Sequence, residues 1–196
     1  MNYQQFQWLN QSPHTIAGEK ITITAPGATD FFNSPVPENG QFKAPQGNAP
    51  FFYTQVEGDF VARVKVTPHF KDVYDAACIM VMEDAHTWIK AAYEKSDFNT
   101  NAVVSVVTNQ VSDDANGCNL NTPWVWLQVA RVGCNYAIHY SLDGENFDMV
   151  RLCMLPTKAS VKVGIEAQCP MGAGGPRDFE DFTIEKRTIA NLRAGK

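Results

Sequence analysis

The chain has 196 residues, 44% hydrophobic and 19% charged, which is enough to fill one core and too little for two full domains. Its net charge of -5 and sequence pI near 5.3 deny it the basic surface that phosphate backbones and anionic membranes require. Neither nucleic acid nor a membrane is therefore an expected partner.

The opening "MNYQQFQWLN" has no basic n-region and no apolar h-region, and no apolar run reaches spanning length, so a cytoplasmic protein is expected. Next come short β-branched or alternating runs: "ITIT" (21–24), "FFYTQV" (51–56), "FVARVKV" (60–66) and "AACIMVM" (76–82). The segment "AHTWIKAAYEK" (85–95) fits a helix at one period. At period two it places Trp88, Lys90, Ala92 and Glu94 on one face. Further runs are "AVVSVVT" (102–108), "WVWLQVAR" (124–131), "YAIHYS" (136–141), "FDMVRL" (147–152), "VKVGIEA" (161–167) and "FTIEK" (182–186). Strands of this length at this spacing indicate an all-β sandwich or barrel, and in that company residues 85–95 read as a strand. Asp143 and Gly144 supply a tight hairpin between their flanking strands, which should pair antiparallel.

Three polar, turn-rich stretches, 34–50, 113–123 and 169–176, are expected as surface loops, the first being either a plain connection or a rim around a binding face. The basic tail 187–196 is expected to be solvated. The chain thus reads as one sandwich domain, residues 1–196, with its core at about 8–186. Strand phase puts Lys162, Gly164 and Glu166 on an outer face, and likewise Arg63 with Lys65, and His139 with Ala137 and Ser141.

Several segments, in order, resemble the domain of unknown function 1349 family, also called the regulation of enolase family, in the concanavalin A-like lectin/glucanase superfamily. They are "DFFNSP", "FVARVKV", "YDAACIMVMEDAHTWIKAAYEK", "AVVSVVTNQVSDD", "QVARVGCNYAIHYSLDGENFDMVRL" and "VKVGIEAQCPMG" with "FEDFTI". The resemblance covers residues from about 8 to 184 and implies a two-sheet antiparallel jelly-roll sandwich. It implies no established reaction. Through related domains attached to glycoside hydrolases it suggests carbohydrate as the ligand class, and through yeast-type members a link to a metabolic enzyme. Positions that match the family's polar pattern include Trp88, Lys90, Glu94, Ser112, Asp113, Arg131, Ser141, Asp143, Gly144 and Arg151. The sequence departs from the family where Asp114 replaces the usual tryptophan and where Ala76, Ala77 and Cys78 replace a frequent Gln-Ala-Gly.

Candidate ligand-binding residues are Trp88, Lys90, Glu94, Arg131, His139, Arg151 and Glu166. An indole stacks on the C–H face of a sugar, cations donate to its hydroxyls and carboxylates accept from them. The plainer alternative is a surface pair of Lys90 and Glu94, worth about 0.2–1 kcal/mol. Trp8, Trp124 and Trp126 are expected to pack in the core or at an edge. A glycoside hydrolase needs two carboxylates flanking the scissile bond, yet Glu83, Asp84, Glu94 and Glu166 are scattered and no ExDxE strand is present. "SLDGENF" looks like a sialidase Asp-box one residue short, and an Asp-Gly hairpin explains it equally well. Five widely spaced cysteines, most in apolar runs, are expected as reduced thiols, and without CxxC, CxxH or HxH no zinc site is expected. Asp113 with Asp114 is the one pair that could hold calcium, too little to predict a metal. No catalytic residue, cofactor or metal is expected. The expected function is a non-catalytic module for a saccharide or sugar-like ligand, with a protein-interaction module as the alternative and a hydrolase behind both.

Overall fold

In the computed structural model, which describes residues 1–41 and 44–196, alternating side chains resolve into strands. After a 3-10 turn at Tyr3–Gln5 come β1 (Gln7–Leu9), β2 (His14–Ala17), β3 (Lys20–Pro26), β4 (Phe31–Phe32), β5 (Gln46–Gly47), β6 (Phe51–Glu57), β7 (Phe60–Thr67) and β8 (Ala76–Asp84). There follow β9 (Thr87–Lys95), β10 (Asn101–Asn109), β11 (Val111–Leu120), β12 (Val125–Val132), β13 (Asn135–Ser141), β14 (Asp148–Met154), β15 (Ser160–Gln168) and β16 (Gly174–Glu185). The ambiguous segment 85–95 is thus a strand. Among the described residues no helix is long and apolar enough to cross a membrane.

Two seven-stranded antiparallel sheets form, ordered β1-β6-β15-β8-β9-β10-β11 and β14-β13-β12-β7-β16-β3-β2. β15 lies between β6 and β8, and β16 between β7 and β3, so late strands close both sheets. Ile79, Ile89 and Ile165 from the first sheet meet Val64, Leu127 and Phe179 from the second in the main core. Each such fully buried side chain stabilises the fold by about 1.5–3 kcal/mol. The expected hairpin joins β13 to β14: Asp143 accepts from the Glu145 and Asn146 amides, both at 2.8 Å, and Gly144 takes φ 81°. Cys78, Cys118, Cys134, Cys153 and Cys169 are all free thiols.

Four expectations change. Most of the presumed loop 113–123 belongs to β11, an edge strand whose polar side chains face solvent while its backbone bonds to β10. The last strand begins at Gly174 rather than at residue 182; Pro176 is tolerated because it pairs only with β3, and β7 joins from Asp178 onward. A register shift between Glu180 and Thr183, with Asp181 at φ 52°, turns both Phe179 and Phe182 inward despite their odd spacing. The stretch 34–50, of which positions 42 and 43 lie outside the described residues, contributes β5, which pairs with β4. There Phe31 and Ala49 pack with Phe51, Met80 and Trp88 in a second apolar cluster on the outer face of the first sheet.

The tail is likewise not wholly solvated, since one side of it packs on the protein while most of its residues stay exposed. Ile189 and Leu192 pack on Val61, Ala130 and Val132 of the second sheet's outer face. Gln128 donates to the Gly195 carbonyl at 3.3 Å, and the His139 ring bonds the Leu192 carbonyl at 2.8 Å. Both sheets therefore have covered outer faces. Ile189→Ala is expected to destabilise the protein by about 2 kcal/mol in urea unfolding at unchanged m, as for a buried apolar truncation. A solvated tail would hold the change within about 0.5 kcal/mol.

Candidate functional site

Antiparallel register aligns side chains in rows across the first sheet. One row reads Gly164, Met80, Lys90, Val106, Asp114, and another Gln168, Ala76, Glu94, Ala102, Asn119. In the second row the small Ala76 and Ala102 flank the long polar Glu94. A pocket of about 230 Å³ lies here, lined by Asp30, Phe32, Tyr74, Lys90, Glu94, Val104, Val106, Asp114 and Gln168.

Lys90 is 2% exposed and donates to Gln168 Oε1 at 2.6 Å and to the Phe31 carbonyl at 2.9 Å, with Asp30 Oδ1 at 3.5 Å. Its ammonium also lies 5.6 Å from the Trp88 ring centre. Burial alone would pull the lysine down, but the charges of Asp30 and Glu166 hold it above its ordinary value. It stays protonated, which suits electrostatics rather than nucleophilic attack. Gln168 is fixed from its other end, since its amide donates to the Tyr74 carbonyl at 3.1 Å. Tyr74 sits at φ 67°, a left-handed conformation unusual for a bulky residue, at the pocket lining.

Burial pushes the Glu94 carboxyl up to about 7 against the pull of Lys90, and Asp30, Asp114 and Glu166 reinforce the rise. Burial also pushes Glu166 up to about 7, opposed by Lys90 and by the Cys78 thiol across the strand pair. Glu166 is 0% exposed, and apart from the Cys78 thiol neither oxygen has a hydrogen-bond partner among the described residues. Two carboxyls that titrate near neutrality thus stand on one face, Glu94 at the pocket and Glu166 sealed from water.

The expected site residues divide. Lys90, Glu94 and Glu166 share this face of the first sheet. Trp88 shares it too, but at 1% exposure, donating from Nε1 to the Ala85 carbonyl at 3.3 Å and meeting Phe31 edge-on. The expected open stacking platform is therefore corrected, because the segment carrying Phe31 covers the indole. Arg131, His139 and Arg151 lie on the second sheet and do not converge with the others. Arg131 donates to the carbonyls of Gly133, Ala159 and Lys158, which spends it on tying loops together. His139 lies under the tail at 0% exposure, and burial depresses its pKa. Arg151 pairs with Asp113 Oδ2 at 2.9 Å, clamping β14 to β11 at the sheet edges. Asp113 and Asp114 alternate along β11 and so point to its opposite faces.

Asp30, Phe32, Tyr74, Asp114 and Gln168 were not singled out as ligand-binding residues. Extending the phase of Lys162, Gly164 and Glu166 by one step reaches Gln168. Asp30 and Tyr74 open two of the family-like segments, yet no local pattern gives them a binding role, and they arrive through loops.

A carboxyl whose folded pKa exceeds its unfolded value holds its proton longer when folded, so stability falls as pH rises from the ordinary glutamate range toward about 7. Glu166→Gln removes that penalty. Relative to wild type, the variant is expected to gain on the order of 2 kcal/mol between about pH 5 and about pH 7.5. Denaturant unfolding at both pH values reads the difference; a pH-independent one would mean that Glu166 is solvated or ion-paired.

Comparison with known proteins fits this architecture. "Regulation of enolase protein 1" of Saccharomyces cerevisiae is 29% identical over 183 residues, 92% of this chain and 89% of that protein. A crystal structure of a functionally unknown protein from Saccharomyces cerevisiae superposes with a TM-score of 0.85 at 27% identity, covering 96% of this chain and 100% of the other. The carbohydrate binding module CBM66 from Bacillus subtilis shares the fold at 12% identity, with a TM-score of 0.61 over 93% of this chain and 96% of that one. A GH43 protein, BlXynB of Bacillus licheniformis, does so at 12% identity and a TM-score of 0.71, over 93% of this chain and 37% of that one. Residues 8–187 match the family described as "Protein of unknown function (DUF1349)". The chain is an antiparallel β-sandwich and belongs to the DUF1349 family.

Proposed function

We propose that the protein is a binding module whose pocket on the outer face of the first sheet holds a small saccharide or sugar-like ligand. The observation that carries this reading is the pocket itself, in which hydrogen-bonding side chains from Asp30, Glu94, Asp114 and Gln168 stand beside Phe32, Tyr74, Val104 and Val106. Polar groups placed around an apolar wall are what a ring with hydroxyl edges and C–H faces needs. The pocket's 230 Å³ falls below the usual span of about 300–1,000 Å³ for ligand sites, which suits one sugar ring better than an oligosaccharide. Tyr74 and Phe32 take the aromatic role that Trp88 is too buried to play. The fold shared with a carbohydrate binding module supports the ligand class.

Hydrolysis draws less support from this geometry. Glu166 has no solvent access, so the two carboxyls of raised pKa do not both reach a bond held in the pocket. A protein partner is the second reading, favoured by the yeast relative named for regulation of enolase.

Ligand-detected NMR with a panel of monosaccharides tests the proposal. Tyr74→Ala and Asp114→Asn, both at exposed positions, are expected to weaken binding at least about tenfold, or about 1.4 kcal/mol, without loss of the folded spectrum. Absence of binding across the panel by folded wild type would sink the saccharide reading and shift the assignment to a protein partner.

A further inference from the structure

Resting on the saccharide reading, the geometry of this pocket points to a narrower ligand class: we infer that it selects a sugar carrying a protonated amine, an amino sugar, over neutral sugars. Three observations carry the inference.

First, the pocket's lysine has no hydrogen to offer. Among the described lining residues Lys90 is the only cation, and its ammonium is directed at Gln168 Oε1, the Phe31 carbonyl and Asp30. An ammonium has three donors, and these three acceptors take them. A ligand carboxylate or phosphate would have to displace a bond already made.

Second, acceptors are in surplus. Among the described residues, neither Glu94 nor Asp114 has a hydrogen-bond or ion-pair partner, whereas Asp30 stands against Lys90. Glu166, two residues before Gln168 on the same face of β15, is fully buried with no partner beyond the Cys78 thiol among the described residues, within electrostatic reach of Lys90 and Asp30. One lysine thus faces Asp30 and Glu94, with Asp114 and Glu166 around them. Burial raises the Glu94 carboxyl first and this crowding adds to it, and a ligand ammonium between Glu94 and Asp114 would offset both.

Third, the lining includes Tyr74 and Phe32, and an aromatic beside carboxylates is a favourable setting for a cation, because the ring quadrupole adds to the carboxylate attraction. A sugar hydroxyl accepts as well as donates and makes only part of this match. An ammonium donates three times and carries the missing charge.

Isothermal titration calorimetry at pH 7 with glucosamine, glucose, N-acetylglucosamine, ethylamine and calcium chloride separates the outcomes. Glucosamine is expected to bind at least tenfold more tightly than glucose and than its N-acetyl derivative, which lacks the charge, and Asp114→Asn and Glu94→Gln should each erase that preference. Glucose binding as tightly as glucosamine would overturn the inference and leave the saccharide reading standing. Ethylamine binding as tightly as glucosamine, with neither neutral sugar bound, would overturn the saccharide reading and with it the amino-sugar assignment. Calcium binding that Asp114→Asn abolishes, with no amine bound, would overturn the inference in favour of a metal site.

Discussion

The outer face of the first sheet depends on one buried charge. An ammonium taken out of water is costly unless every donor is met, and Lys90 meets that condition only by drawing acceptors from separate segments. Gln168 comes from the end of β15, the carbonyl of Phe31 from β4, and Asp30 from the residue before it. The cation thereby fastens the β4 segment onto the sheet. Phe31 then lies over Trp88 and against the cluster of Cys78, Met80 and Met82, which would otherwise be an apolar patch facing water. Covering and pocket are two consequences of the same interaction, because the segment that seals the Trp88 end supplies Asp30 and Phe32 to the open end.

A second buried charge holds the wall in place. Arg177, on β16 of the second sheet, pairs with Asp75 at 2.7 Å and donates to the Gln168 carbonyl from both Nε and Nη2. Asp75 in turn accepts from the amides of Lys71 and Asp72 just before β8. Asp75, Arg177, Gln168 and Lys90 form one line of polar contacts from between the sheets to the pocket. Such a network fixes side-chain directions in a way that apolar packing alone does not, since each member has few alternative partners.

The two outer faces are covered by different means, and the difference explains where the site lies. On the second sheet the tail seals apolar residues and satisfies Gln128 and His139 through its own carbonyls. On the first sheet, among the described residues, Glu94 and Asp114 remain without partners at the pocket, and Glu166 beneath the same face has only the Cys78 thiol. A buried carboxyl with so little hydrogen bonding is rare in folded proteins, and Glu166 lies on the same face of the sheet as the pocket.

Period-two alternation and turn chemistry determined most strands, the hairpin at Asp143 and Gly144, the face shared by Trp88, Lys90 and Glu94, and separately the outward phase of Glu166, because side-chain direction along a strand follows from local geometry. Sequence segments also carried the family. The same alternation could not say whether an outer face meets water or another segment, and so it left Trp88 open and the tail solvated. Nor could it show that Arg131, His139 and Arg151 stand on the other sheet, since membership in a sheet is set by pairing between strands distant in sequence. β11 went unrecognised because an edge strand with one solvated flank needs no apolar pattern, only a neighbour to accept its backbone bonds. Tertiary structure alone brought Asp30, Tyr74 and Asp114 to Lys90, because a pocket forms where loops and strands converge, and no local pattern encodes that convergence.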